Sequence, residues 1–440
     1  MKKGNAYWLK AGSYAMLGHG AQLGFAFLNF LLLVRIWPER DLGVWTLYTA
    51  LTAFAEMARM GLTQNGTISL SKKHPGETPL ILSAGIALNL MAGLALGLLL
   101  AAAAPVLGIL WSAPELLSLA WLYLPFALLY GTARYFDNAH ILRDDFKGVF
   151  WSKLAFGAFF SGALWWQKDG LTLQEAAMWQ NAAAALSLAV FLLYRPQYLR
   201  FGALQRQWIG RLFQFGKYAM GTNLFSMLYN KLDVMLLGAL LNPAAVAMYN
   251  VASRVINYIE LPLTGLSQML YPKVAEAFNS QGKTAVARLY ERTLAVLLAA
   301  MIPFTGLIML FAKNILHALA GPQYVSSAPL LQILLLAVFP KIWGRLFGIT
   351  LDAIGNPRLN FFVLAGSMVS NVLFSLALVP WWGNMGAAFA VLFSVIVNVT
   401  VGQRLLSNII PIRQANIFNA WGAALSRLPM GHLWQKVKAS

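Results

Sequence analysis

The sequence predicts an all-α, polytopic membrane protein of twelve transmembrane helices, and three observations predict it. Apolar runs long enough to span a bilayer recur along the chain, as in Leu80–Leu100 and Leu359–Val379; about 20 residues suffice to cross. Charged residues make up 11% of the chain and hydrophobic ones 59%, where a soluble domain carries roughly 25% charge. Helix breakers punctuate the runs at Trp37-Pro38, His74-Pro75-Gly76, Arg195-Pro196, Asn242-Pro243, Gly321-Pro322, Asn356-Pro357 and Trp382-Gly383.

The spans fall at 7–36, 43–70, 80–104, 116–140, 149–166, 174–194, 212–241, 244–271, 288–312, 328–351, 358–379 and 385–410. Met1-Lys2-Lys3 has the look of a signal-peptide start. The apolar segment behind it continues to Ile36 without a small-residue cleavage site, so it reads as a retained first span. Basic residues set the orientation. The odd connectors hold Arg35, Arg40, Lys168 and Lys313. The even connectors and both ends are far richer, with Lys72-Lys73, Arg195 to Arg211 and Lys273 to Arg292. Both termini are therefore expected in the cytoplasm.

The longest cytoplasmic connector, 195–211, divides the chain into an N-lobe at 1–194, with helices 1–6, and a C-lobe at 212–410, with helices 7–12. The corner Leu31 to Pro38 followed by Gly43-Val44-Trp45 matches Leu236 to Pro243 followed by Ala247-Met248-Tyr249. Parallel internal symmetry of this kind is a mark of transporters. Residues 411–440 read as a basic amphipathic cytoplasmic tail. In it Ile417, Phe418, Trp421, Leu425 and Leu428 recur at helical spacing among Arg413, Arg427, Lys436 and Lys438.

The net charge is +18. In a soluble chain that would suggest nucleic acid; here the basic residues belong to cytoplasmic loops, and no nucleic acid is expected. There is no cysteine, which removes disulfides, thiolate metal sites and thiol catalysis. No connector exceeds about twenty residues, too short for the extramembrane domain a membrane glycosyltransferase or polymerase needs. No metal-ligand spacing, phosphate loop or nucleophile triad is present. An enzyme is not expected, nor any bound cofactor; a proton or sodium gradient remains as an energy source.

Eight basic residues fall within or at the inner edge of spans: Arg59, Arg134, Lys153, Lys217, Lys231, Arg254, Lys341 and Arg345. At about 3 kcal/mol each, facing all of them to lipid would cost roughly 24 kcal/mol, more than a typical folding stability of about 5–15 kcal/mol. They must snorkel, pair or line water. Lys231 lies twelve residues before Pro243 and Arg254 eleven after it. Both are thus roughly 17 Å from the turn, near the middle of a ~30 Å hydrocarbon slab. Lys341 lies at similar depth, whereas Arg59, Arg134 and Arg345 sit toward the cytoplasmic side. A basic vestibule of this kind would concentrate an anion such as phosphate, which arginine binds in bidentate fashion.

Other readings stand beside this one. Lys153, Lys217 and Arg345 can snorkel to headgroups. Arg59 can pair with Glu56, and Arg134 with Asp137, three residues away on one helix face. Asp233 and Arg254 come to nearly the same depth. On their own helices, Lys231 and Lys341 face no obvious local carboxylate. Asn250, Arg254 and Asn257 form one stripe, and His19, Gln22 and Asn29 form another, with Gln64 and Asn65 on the second span. Such amides suit sugar hydroxyls and equally suit helix–helix hydrogen bonds. Asp233 and Glu260 are the candidates for ion coupling. Pro125, Pro262, Pro303 and Pro340 lie within spans and can kink them.

Three stretches carry a family likeness: Leu33-Val34-Arg35 through Asp41-Leu42-Gly43-Val44-Trp45 to Met60-Gly61-Leu62; Lys231-Leu232-Asp233 through Tyr249-Asn250-Val251-Ala252-Ser253-Arg254; and Leu351-Asp352-Ala353-Ile354-Gly355-Asn356-Pro357, then Val379-Pro380 through Gly383-Asn384-Met385-Gly386. In their order and spacing the chain resembles the polysaccharide transport family of the multidrug/oligosaccharidyl-lipid/polysaccharide (MOP) exporter superfamily. It looks most like the O-antigen (Wzx-type) flippases. The resemblance implies two six-helix, MATE-like lobes around a central cavity in a bacterial inner membrane. It also implies flipping of an undecaprenyl-diphosphate-linked oligosaccharide, an O-antigen or exopolysaccharide repeat unit, from the cytoplasmic to the periplasmic leaflet by alternating access. Membrane lipids, a polysaccharide polymerase and glycosyltransferases would be its partners. Basic cavity residues would meet the pyrophosphate or acidic sugars, and Lys231, Arg254 and Lys341 are the positions carried over. The lipid II flippases of the superfamily usually have two further spans, which argues against that substrate. The alternatives are a cation-coupled multidrug exporter of the same fold, whose cavity should be acidic, and a non-transporting membrane subunit of a polysaccharide-synthesis complex, whose buried charges should pair off completely.

Overall fold

The computed structural model describes residues 5–413, 415–417 and 421. Among these there is no strand, as expected of a chain whose backbone polar groups must be satisfied inside lipid. The helices are α1 (Asn5–Ile36), α2 (Glu39–Lys73), α3 (Thr78–Leu110), α4 (Leu116–Ile141), α5 (Phe146–Trp166), α6 (Leu173–Leu193), α7 (Arg206–Leu240), α8 (Pro243–Gln281), α9 (Lys283–Leu310), α10 (Ala312–Ala320), α11 (Ala328–Ala353) and α12 (Pro357–Ile409).

The expected breakers do end helices. Pro38 precedes α2, Pro243 starts α8, and Pro357 starts α12, each where a missing N–H costs nothing. Thr172 caps α6 through a reciprocal capping box with Glu175. The spans at 358–379 and 385–410 form one run, kinked at Gly383. Its backbone there (φ 56°, ψ −135°) is one that side chains disfavour. One connector differs from expectation. The stretch around Lys313 is helical (α10), with Leu316 and Ala320 buried against neighbours. The tail positions Phe418, Leu425 and Leu428 lie outside the described residues.

By length and apolarity, seven helices qualify to cross a membrane among the described residues, fewer than the twelve spans expected. α2 and α7 are each 35 residues long but fall outside the seven. They are too polar, carrying residues such as Glu56, Arg59 and Asn65 or Asn223, Asn230, Lys231 and Asp233. Large apolar side chains are exposed over much of the surface, among them Ile109, Leu193, Trp166 and Trp381. An apolar exterior of this extent belongs in lipid, and the chain is a multi-pass membrane protein.

The chain forms two compact units, Met1–Ala247 and Met248–Ser440. In the first, α1 packs on α5, α3 on α4, α4 and α5 on α6, and α2 on both α3 and α7. The α2–α7 contact is close because a glycine on each helix faces the backbone of the other. A Cβ on Gly61 would lie 2.7 Å from the Met220 backbone, and one on Gly216 would collide with the Leu62 carbonyl. Small residues permit such approaches where lipid supplies no hydrophobic drive. Asn223 Nδ2 then donates to the Met57 carbonyl at 3.0 Å. Gly216→Leu is therefore expected to prevent close seating of α7, at ~1–3 kcal/mol or more. It should appear as a lowered melting temperature in detergent; an unchanged one would show that the crossing yields. In the second unit, α11 packs on α12 and α9, with α10 at its edge.

Candidate functional site

The charged groups of the spans sort into three settings. The first lies deep in the Met1–Ala247 unit. The Arg59 guanidinium, 1% exposed, forms an ion pair with Glu56 and donates to Asn89 Oδ1 at 2.5 Å. The Tyr123 hydroxyl donates to the other Glu56 oxygen at 2.9 Å. Gly131 leaves room for the guanidinium, since a Cβ there would lie 2.6 Å from Arg59 Nη1. A second network joins α4, α5 and α6. Arg134 pairs with Asp137 at 3.1 Å and donates to Ser152 Oγ (2.7 Å) and Ser187 Oγ (3.0 Å), with its guanidinium 5.2 Å from the Tyr130 ring centre.

Arg59 and Arg134 are thus buried and paired in this structure. Of the two readings open from sequence, the i,i+3 ion pair holds for both. The physical reason is satisfaction: once desolvated, each guanidinium is stable only among acceptors, and these also tie three helices together. Asn89, Tyr123, Ser152 and Ser187 supply the remaining partners, and the two arginine Nε atoms, Asn89 Nδ2 and Asp137 Oδ1 stay without a hydrogen bond among the described residues. Sequence spacing cannot find these partners, since they come from other helices.

The second setting is the exposed polar face of α7. Tyr218, Thr222, Ser226 and Asn230 recur every four residues and are all exposed. Thr222 and Asn230 hydrogen-bond back to the Tyr218 and Ser226 carbonyls and keep the rest of their polar capacity outward. Lys217 Nζ stands 5.1 Å from the Tyr218 ring centre, and Lys231 and Asp233 are half-buried. In a helix that crosses a bilayer, a stripe of this kind needs water or a polar ligand beside it. Its four-residue recurrence was visible in the sequence. On α1 and α2, His19, Gln22 and Asn65 are also exposed, whereas Asn29 is engaged, accepting from Ser161 Oγ at 2.6 Å.

The third setting is in the Met248–Ser440 unit. Glu260 of α8 sits between two cations of α11: Lys341 Nζ is 3.0 Å from Oε1, and Arg345 Nη2 is 3.7 Å from Oε2. Side-chain exposures are 34% for Lys341, 31% for Arg345 and 16% for Glu260. Lys341 was expected to face no local carboxylate, and the structure supplies one from 81 residues away in sequence. Spacing on one helix cannot show such a pair. Arg345 also edges a narrow apolar cleft lined by Leu263, Leu270, Leu297, Ile342, Leu346 and Ile349. On α8, Asn250 is buried, Asn257 is exposed, and Arg254 is half-buried with the Tyr258 hydroxyl as a hydrogen-bond partner one turn on. Lys231 and Arg254 both engage neighbouring groups, so a set of unpaired cations is not what the structure holds. What it holds is an excess: two cations, each about a third exposed, share one carboxylate. Among the described residues no group of three or more His, Asp or Glu side chains is placed to hold a metal.

A family model described as "Polysaccharide biosynthesis protein" matches residues 32–329. Among curated proteins, the chain is 25% identical over 237 residues to AglR of Haloferax volcanii, a probable flippase; the match covers 53% of this chain and 49% of that one. It is 22% identical over 223 residues to Agl15 of the same organism, a probable low-salt glycan biosynthesis flippase, covering 51% and 47%. It is 28% identical over 189 residues to an uncharacterized membrane protein of Methanocaldococcus jannaschii, covering 43% and 37%. The matches thus span half or less of the length of these relatives. Two solved structures share the fold at 13% identity and a TM-score of 0.69. One is an inward-facing multidrug resistance MATE family transporter of the MOP superfamily, with 90% of this chain and 98% of that chain covered. The other is the lipid II flippase MurJ in an inward closed conformation, with 96% and 91% covered.

Proposed function

Since the chain belongs to the polysaccharide biosynthesis protein family, whose model matches most of its length, we propose that it is a flippase for an undecaprenyl-diphosphate-linked oligosaccharide. It carries the repeat unit from the cytoplasmic to the periplasmic leaflet of a bacterial inner membrane, exposing its binding groups to the two faces in turn. Twelve spans in two lobes of six, with both termini cytoplasmic, complete this reading. α2 and α7 are then spans whose polarity is functional.

The observation that carries the proposal is the pair Lys341 and Arg345 of α11, each about a third exposed, sharing the one carboxylate of Glu260. A local excess of positive charge receives a diphosphate and repels an organic cation. In the same unit Arg254, Asn250 and Asn257 add polar groups on α8; in the Met1–Ala247 unit, Lys231 and the Tyr218–Asn230 face of α7 offer ammonium, hydroxyl and amide groups of the kind phosphates and sugars bind. Proton or sodium coupling would fall to Asp233 or Glu260. Glycosyltransferases would supply the lipid-linked glycan and a polymerase would consume it.

The test is in cells. Deleting the gene in its native host should leave lipid-linked oligosaccharide accumulating where only cytoplasmic enzymes reach it, and re-expression should restore surface polymer. Normal polymer export without the protein would refute the proposal.

A further inference from the structure

We infer that Glu260 is a resident stand-in for the substrate's phosphate: it occupies Lys341 and Arg345 when the site is empty and retakes them to expel the bound diphosphate. The inference rests on the reading above that this site takes a diphosphate.

The geometry supports it in three ways. Lys341 and Arg345 are four residues apart on α11, so both side chains leave the same face, where like charges repel unless an anion bridges them. Glu260 is that bridge, with one oxygen for each cation, 3.0 Å to Lys341 Nζ and 3.7 Å to Arg345 Nη2. The longer contact is beyond hydrogen-bond length, so Arg345 is held by charge and retains donors for another anion. The exposures run in the direction displacement requires. Each cation is about twice as exposed as the carboxylate, so an incoming anion can reach the cations ahead of Glu260.

A carboxylate brings one negative charge to two positive ones. A diphosphate brings more charge and more acceptor oxygens and suits the fork of Arg345 better. Displacing Glu260 is then favourable but opposed. The opposition keeps the site from holding its ligand too long, a condition any carrier must meet. Lys341 and Arg345 remain the binding residues, and Glu260 is a positioning residue that sets how often they are available.

Purified, detergent-solubilised protein can be titrated with inorganic pyrophosphate and, separately, with undecaprenyl diphosphate. If the stand-in occupies the cations about nine-tenths of the time, Glu260→Gln should tighten both ligands about tenfold, because apparent affinity scales with the competent fraction. Reconstituted turnover should fall in the same variant as release slows. Glu260→Asp keeps the charge but shortens its reach. It should show a smaller tightening of the same sign, and it serves if the glutamine variant does not fold. Unchanged or weaker binding in folded Glu260→Gln, with binding still lost in Lys341→Gln/Arg345→Gln, overturns the stand-in and leaves the diphosphate site intact. Binding of inorganic pyrophosphate without undecaprenyl diphosphate overturns the inference in favour of a free-phosphate site. No binding of either ligand to any folded variant or to the wild type overturns both readings.

Discussion

Neutralising Lys341, Arg345 and Glu260 together, as Lys341→Gln/Arg345→Gln/Glu260→Gln, is expected to cut transport efficiency about tenfold to a hundredfold and leave the fold in place. A hydrogen bond to a charged group contributes ~1.5–3 kcal/mol. At the exposures of these side chains, 31% and 34%, solvent screening removes part of that. About 1.5–3 kcal/mol for the two cations together is then the figure to expect, and every 1.4 kcal/mol is about a factor of ten. Removing the carboxylate as well avoids leaving it uncompensated, which would confound a binding loss with a folding loss. Transport of the lipid-linked glycan and the melting temperature in detergent should be measured on the same preparation. Loss of both would mean that the cluster only holds α8 to α11; loss of neither would remove it from the site.

Glu56→Gln is expected to have the largest effect on stability. It leaves the Arg59 guanidinium, 1% exposed, without a countercharge, and breaking a buried pair from one side costs ~3–5 kcal/mol. Arg59→Gln should be damaging as well, since Glu56 would keep only Tyr123 as a donor. The double variant Glu56→Gln/Arg59→Gln should be less destabilised than the sum of the two, because the pair interacts directly. The measurement is the half-life at fixed temperature in detergent, read for all four proteins of the cycle. Additive losses would mean that the two residues act independently.

The contrast between these two clusters shows what the sequence can tell. Helix edges were legible because their causes are local: Pro38, Pro243 and Pro357 begin helices, and Gly383 kinks α12. α8 runs past the expected edge near Tyr271, through Pro272, to Gln281, since leaving the membrane does not by itself end a helix. The Glu56–Arg59 and Arg134–Asp137 pairs were legible as one option of two, because i,i+3 spacing places both partners on one face. Choosing between pairing and lining water required knowing that Asn89, Tyr123, Ser152 and Ser187 close in from other helices. Glu260 and Lys341 could not be paired from sequence, because α8 and α11 meet only in the folded chain. The seating of α7 on α2 through Gly61 and Gly216 was hidden for the same reason. A glycine in a span has no signature that names its neighbour.

The central claim is that this chain moves a diphosphate-linked glycan between leaflets. Its most direct test is the protein reconstituted into sealed vesicles carrying undecaprenyl-diphosphate-linked oligosaccharide, with a membrane-impermeant glycosidase outside. The account predicts protein-dependent exposure of the inner-leaflet pool, slowed in the triple glutamine variant and not reproduced by an organic-cation cargo. Folded protein that leaves that pool protected, or that moves the cation instead, would contradict it.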